Sequence, residues 1–364
     1  MKILHFYHPQ QPLQAQYVQL LMESADRSAG LQTATTLAEV RQALQATHYD
    51  ILHIHGCWSW SYAKATKLAA RWGTRVVVSP HGQLEPWILK DRRWKEKWPK
   101  TLAYQRRAIA DAYTVIAMGR MERQSLEQLG WNPRIEVVRN AVVTHSITVS
   151  EMQRQLNTIY RKVLDSDVYA IMSPDNRQLM FSIFKCAVAS HHEGIDPAAF
   201  SRLTQDEWRQ MFIYAHYEQV EELLLRGIHL LGLRQPDVDT ERINCYLPAD
   251  YVPVQTISAA IGNLFASENE RLLATFKYLR RQAFHRQLTV CHLLELEREI
   301  REHGIDEDLL AETLEEHHLL KFAQRLMGVL QMLTGIEEGI APLPFTIDRQ
   351  TRALHTMITN HLKI

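Results

Sequence analysis

Glycine is scarce in this chain: 14 residues in 364, about 4% against a usual ~7%. That shortage excludes a collagen-like repeat and leans the sequence toward helix. Cysteine is scarcer still. Cys57, Cys186, Cys245 and Cys291 stand far apart with no CxxC between any two, which excludes a zinc knuckle, a thioredoxin-type motif and a disulfide scaffold. Buried free thiols in a reducing compartment are the expectation. No stretch reaches the ~18 apolar residues of a membrane-spanning helix, and the apolar run after Met1 is too short for a signal peptide. The P-loop, the HExxH zinc helix and the GxSxG elbow are all missing. So are internal repeats and low-complexity segments. A cytoplasmic protein is expected, with peripheral contact at the inner membrane face kept as an alternative.

What is present looks globular. Hydrophobic residues make up 46% and charged residues 23%, and the length suits two domains or one large one. The net charge is zero, but unevenly spread. Residues 1–150 hold 19 Lys/Arg against 11 Asp/Glu, a surplus of 8 basic groups; the remainder holds 22 against 30, a surplus of 8 acidic groups. Two units with different jobs fit that asymmetry. So modest a basic surplus does not imply nucleic acid, and none is expected as a partner.

The chain changes style near residue 145. Before it, short β-branched runs alternate with helical patterns. Strands are predicted over 2–6, 50–55, 74–79, 113–117 and 134–138, and helices over 13–24, 36–47, 61–72, 98–110 and 118–129. Such alternation means βαβ crossovers and a parallel sheet. After residue 150 the strand signal fades. Apolar residues recur at helical spacing over 151–164, 205–231, 254–265, 268–285, 290–303, 306–333 and 348–362. The fold class expected is α/β plus all-α: a truncated Rossmann-like sheet domain, 1–145, followed by a helical domain, 146–364.

In a parallel sheet, ligands sit beyond the carboxyl ends of the strands. That rule puts His55-Gly56, His81-Gly82 and Asn140 on the functional edge. His53 and His55 alternate on one strand and so share a face. As metal ligands they lack a third partner placed with them, so strand-end packing and cleft lining are expected, with no metal and no cofactor. The doublets His191-His192 (with Glu193) and His317-His318 point about 100° apart on a helix and make no clean chelate. Leu319, Leu320, Phe322, Leu326, Met327, Leu330 and Leu333 read as a helix core rather than a cofactor pocket.

Four blocks occur in order: DILHIHGCWSW (50–60), VVVSPHGQLEPWILKDRRWKEKW (76–98), LAYQRRAIADAYTVIAMGRMERQSLEQLGW (102–131) and IEVVRNAV (135–142). Over about residues 48–143 the chain resembles the amino-terminal domain of family-4 retaining glycosyltransferases. That resemblance implies a GT-B architecture of two Rossmann-like domains, the first binding the acceptor and the second the nucleotide-sugar donor. It implies that His81 is the histidine beside the reacting sugar, which makes it the catalytic candidate. His55, Gly56, Trp58, Gly82, Glu122 and Asn140 become candidate ligand contacts. A histidine merely satisfying a loop carbonyl is the plainer reading of His81.

Departures from the family pattern are as informative. The Gly-Gly loop after the first strand is replaced by His8-Pro9-Gln10-Gln11-Pro12. Gly119-Arg120 stands at the usual Ser-Glu, and Arg139-Asn140-Ala141 at the usual Pro-Asn-Gly. The short span between Tyr7 and Asp50 suggests that a strand or two is missing. Beyond residue 150 no basic pair for a diphosphate is recognisable. The Glu-x7-Glu spacing recurs only at Glu299/Glu307 and Glu307/Glu315, inside helical patterns.

The segment 87–107 is basic and tryptophan-rich. On one helix, Trp87, Trp94 and Trp98 would form a stripe beside Lys90, Arg93 and Lys97, the pattern of an interfacial helix. The bland alternative is tryptophans in the core with a solvated basic rim. The functional expectation is a glycosyltransferase-like protein of glycan or polysaccharide biosynthesis, with the nucleotide-sugar domain replaced by helices. Nucleotide sugar and a glycan or lipid-linked acceptor are the expected partners. The alternative is a catalytically inactive, glycosyltransferase-derived adaptor that recruits a protein partner through its helical half and contacts the membrane.

Overall fold

Six short strands form one parallel sheet in the order β2-β1-β3-β4-β5-β6: β1 (Ile3–Phe6), β2 (Leu31–Ala34), β3 (Ile51–His55), β4 (Arg75–Ser79), β5 (Thr114–Ala117) and β6 (Ile135–Val137). The computed structural model describes all residues except 25–29, 91–93, 144–146, 191–193, 235, 239–242, 263 and 364, and of Leu89, Lys90 and Trp94 only the backbone. The order reverses between β1 and β3, which is the switch point where open α/β sheets form a crevice.

Helices α1 (Pro12–Ser24), α2 (Leu37–Ala46), α3 (Trp60–Arg71) and α7 (Arg120–Leu129) make the crossovers. The β4–β5 connection includes α4 (Pro86–Lys90), α5 (Trp94–Lys100), a wide π-type turn (Thr101–Gln105) and α6 (Arg106–Ala110). Local chemistry sets the ends. Thr36 caps α2 by accepting from the Glu39 amide, and Gly130 ends α7 in a left-handed conformation.

Period-2 alternation sorts the strand residues. Leu4, Phe6, Leu52, Ile54, Val76 and Val78 share one apolar cluster with Val40, Leu44 and Ala65 of the crossover helices. The opposite face carries Ile3, His5, Ile51, His53, His55 and Ser79, all buried. Tyr17 of α1 packs on His55, and Tyr160 of α8 (Val149–Asp165) packs on His53.

The chain divides into two compact units, Met1–Leu164 and Asp165–Ile364. The division falls later than a boundary at 145 because α8 belongs with the sheet: its Lys162 pairs with Glu136 of β6, and its Tyr160 bonds His53.

The second unit is built from α9 (Val168–Ile171), α10 (Pro174–Ala189), a 3-10 turn (Pro197–Arg202), α11 (Gln205–Glu218), α12 (Glu221–Leu230), α13 (Ile257–Ile261), α14 (Glu268–Phe284), α15 (Val290–Glu302), α16 (Glu307–Glu316), α17 (Leu320–Leu333) and α18 (Arg349–Thr359). Among its described residues no strand occurs. Its core includes Phe184, Tyr214, Phe276, Leu293 and Leu326, each nearly or wholly removed from solvent. The series from Leu319 to Leu333 is core, as its spacing implies. Helix α12 lies close on α10: a methyl group at Gly227 would meet the Ile183 carbonyl oxygen at 2.3 Å.

Between Tyr7 and Asp50 the structure has one strand, β2, which the sequence reading did not place; its sequence, LQTA, has little β-branched character to announce it. The helical patterns over 205–231 and 306–333 are each two helices. Gln219 (φ 57°) and His318 (φ 56°) turn the chain left-handed at the breaks, where no glycine marks the sequence. Helix α10 also stands where no helix is predicted.

Candidate functional site

Loops after β1, β3 and β4 converge at the carboxyl edge, and hydrogen bonds from side chains fasten them. The Gly56 amide donates to the Ser79 carbonyl at 2.8 Å. Gln83 Oε1 accepts from the Cys57 amide at 2.6 Å, and Gln83 Nε2 reaches Gln11 Oε1 at 3.3 Å. His8 Nε2 lies 3.0 Å from the hydroxyls of both Ser59 and Ser61, while its ring stacks on Tyr62. Trp58 is held on all sides: its amide donates to Gln105, its indole N–H to the Gln83 carbonyl, and its carbonyl accepts from Tyr104. Lys97 lies over the Trp58 ring at 5.6 Å and donates to the Ile88 carbonyl.

Gly56 explains why that corner admits no side chain. Its φ is +112°, and a Cβ there would lie 2.9 Å from Gln11 Oε1 and 3.3 Å from the Tyr62 ring. The turn after β4 is different: Gly82 has φ +76° with open space around it. Glu122, at the start of α7, reaches back to this turn. Its carboxylate accepts from the Gly82 amide at 2.6 Å and the Met118 amide at 2.7 Å. Burial raises its pKa, and the two amide bonds oppose that. Glu122 is therefore a fastener between the β4 and β5 ends.

Beneath this edge lies a layer of imidazoles. His5 Nδ1 is 3.0 Å from His55 Nε2, and His55 Nδ1 is 3.1 Å from His81 Nε2. His53 engages the Tyr160 hydroxyl through Nδ1 at 2.5 Å and the Ser79 hydroxyl through Nε2 at 2.8 Å. Burial lowers His5 to about 4 and His81 to about 3. His53 and His55 fall well below the ordinary histidine range, first through burial and then through the neighbouring rings. All four are thus uncharged near neutral pH. Two buried polar atoms in this layer lack a hydrogen-bond partner, the Tyr17 hydroxyl and His81 Nδ1. Burial also pushes the Cys57 thiol up, which keeps it un-ionised.

The structure brings His55, Gly56, Trp58, His81, Gly82 and Glu122 to one edge. It does not expose the His81 ring at that edge. His81 has φ +54° and is 7% exposed, and its ring turns inward against His55 and Tyr17. Asn140, beyond β6, is buried and bonds the Val142 amide. Trp87 and Trp98 are 70% and 53% exposed, so the core reading of those two tryptophans is corrected. Arg93 and the side chains of Lys90 and Trp94 lie outside the described residues, as do His191, His192 and Glu193.

Sequence reasoning missed His5, His8, Gln11, Gln83, Tyr17 and Tyr160. For all but Gln83 the signal is topological: each meets the edge or its second face because β1 neighbours β3 and because α1 and α8 cover that face; Gln83 follows Gly82 directly and its signal was local.

Residues 14–146, just over a third of the chain, match the family model for Glycosyltransferase Family 4. The span runs from α1 to just past β6 and is consistent with a family-4 glycosyltransferase amino-terminal domain. This part of the first unit is glycosyltransferase-like, and sugar-related ligands are the class it suggests. No curated protein and no solved structure matches the chain. Among the described residues no helix is long and apolar enough to cross a membrane.

Proposed function

We propose that this chain is a glycosyltransferase-derived binding protein of glycan or polysaccharide assembly, one that keeps an acceptor-type domain and has no donor site of its own. The placement of His81 carries this reading. The histidine that the family resemblance assigns to the reacting sugar is buried, bonded to His55, and packed edge-on against Tyr17. The acceptor, a glycan or lipid-linked glycan, is assigned to the crevice above β1 and β3, where His8, Gln11, Trp58 and Ser59 are partly exposed. A protein partner is assigned to the helical unit.

Support also comes from the second unit. A diphosphate leaving group needs cations and the donor ribose a carboxylate. The glutamates with suitable spacing lie on helices instead: Glu299, on α15, is buried and paired with Arg271 at 2.9 Å. Losing two or three charge-assisted hydrogen bonds of about 1.5–3 kcal/mol each moves a micromolar site to millimolar or weaker.

Calorimetry of the full chain against UDP- and GDP-sugars tests the reading. Millimolar or undetectable binding is expected. Micromolar binding, with His81→Ala abolishing turnover but not binding, would establish an active transferase and overturn it.

A second reading has its own observation. Trp87, Trp98 and Leu102 are all exposed, Leu102 by 65%, on a segment that carries Lys95 and Lys100. Exposed tryptophan beside lysine suits the interface of an anionic membrane, which fits a peripheral role in handling lipid-linked acceptors.

A further inference from the structure

A parallel sheet covered on both faces ordinarily fills its strands with Val, Ile and Leu. Here the face beneath α1 and α8 carries three histidines instead. His5 and His53 are register partners on adjacent strands, and His55 follows two residues along β3. Alternation puts all three on one side of the sheet. Their ring centroids lie 4.0–5.4 Å apart, and each offers a nitrogen within 4.8 Å of the other two. All three are at most 1% exposed.

We infer that His5, His53 and His55 form a binding site for one divalent late first-row transition ion, of the zinc class, which clips β1 to β3 beneath the crevice. Three imidazoles without a carboxylate select zinc, copper or nickel over magnesium or calcium. Zinc–nitrogen bonds of about 2.0–2.1 Å in tetrahedral geometry put ligand nitrogens roughly 3.3 Å apart. The His5 Nδ1–His55 Nε2 pair, at 3.0 Å, is already near that spacing.

The surroundings supply what such a site needs next. When His55 binds through Nε2, its Nδ1–H donates to His81 Nε2, the contact already present at 3.1 Å. A bond of that kind fixes the tautomer and orientation of a ligating ring. The Tyr17 hydroxyl is fully buried and unpartnered, and its ring lies 5.6 Å from that of His55. That oxygen is assigned to the remaining contact. Loading exchanges the His5–His55 hydrogen bond, and one of the two bonds of His53, for coordination. Because solvent does not reach the layer, the ion's role is structural: it holds the strands whose loops make the crevice. This inference stands independently of the acceptor-binding proposal.

The test uses the full chain, stripped with chelator, incubated with Zn2+ alone and desalted. About one zinc per chain should remain, with a rise in Tm, and Mg2+ should give neither. His5→Asn and His53→Asn should lose the retained ion, while His317→Asn, at an exposed position, should keep it. Because a substitution in the layer can unfold the protein, wild-type protein loaded with Co2+ gives a second readout: the visible ligand-field bands of a tetrahedral nitrogen-ligated ion. His81→Asn should weaken zinc affinity by about 10–100-fold, as removal of a group behind a ligand does. Wild-type protein that retains no zinc and shows no such cobalt bands overturns the inference. So does retained zinc that survives His5→Asn but not His317→Asn.

Discussion

The Tyr160 hydroxyl meets His53 Nδ1 at 2.5 Å, across 107 residues of sequence. One bond thus joins α8 to the middle of β3, and the rings meet edge-on at 5.7 Å. Tyr160→Phe keeps the ring and removes the bond. A buried histidine nitrogen left unpaired costs about 1–3 kcal/mol, so urea unfolding should show a loss of that size. A change below ~0.5 kcal/mol would mean that the bond contributes nothing to holding α8.

Gly56 and Gly82 make a matched pair. Both have positive φ, but only Gly56 is crowded. Gly82→Ala should cost on the order of 1 kcal/mol through backbone conformation alone. Gly56→Ala must also displace Gln11 or Tyr62, so it should cost 1–3 kcal/mol more. Equal midpoints in urea for the two variants would show that the corner yields easily.

His292 of α15 gives the second unit a dependence on pH. It is 1% exposed, accepts from the Thr289 amide at Nδ1, and contacts the Gln255 carbonyl and the Tyr278 hydroxyl through Nε2. Burial lowers it to about 4, against the backbone bond to Gln255, while His361 nearby lowers it further. Unfolded, the ring takes a proton near 6.5. Between those values the unfolded chain binds more protons, so stability falls as pH drops from about 6.5 toward 4, by roughly 1.4 kcal/mol per unit for this group. Unfolding free energies measured across that range should fall less steeply for His292→Gln than for wild type. Identical slopes would remove His292 as the cause.

For the membrane reading, the sensitive residues are Trp87 and Trp98. Vesicles rich in phosphatidylserine should pellet the wild-type chain at low salt, and a Trp87→Ser, Trp98→Ser variant should lose most of that binding. High salt should weaken it as well, since lysines near an anionic surface contribute about 1 kcal/mol each and are screened. Wild-type protein that stays in the supernatant at low salt would end this reading.

Much of the sheet was legible because its strands are β-branched and buried: DILHIH, TRVVVS and YTVIA announce themselves. β2 was not, because Leu31–Ala34 pairs only along one edge, with β1, and its fit there owes little to residue type. The breaks at Gln219 and His318 stayed hidden for a related reason. Glycine usually marks a left-handed turn, and here other residues adopt it.

At the site, the pairing of His53 with His55 follows from alternation alone. That His5 stands beside them depends on strand order, which no local pattern encodes. The tryptophan stripe assumed one continuous helix from 87 to 98; α4 (Pro86–Lys90) and α5 (Trp94–Lys100) carry Trp87 and Trp98, and residues 91–93 lie outside the described residues.

Helix α8 also decides where this protein can be cut. A fragment that stops at residue 145 would discard Met152, Leu156, Tyr160 and Val163, each buried, and would strip the cover from the histidine face. Apolar and uncharged polar groups would meet water together, and the unguarded sheet would tend to self-associate. A fragment carried to residue 164 keeps its own lid. Expressed side by side, the shorter piece should aggregate and the longer one stay in solution.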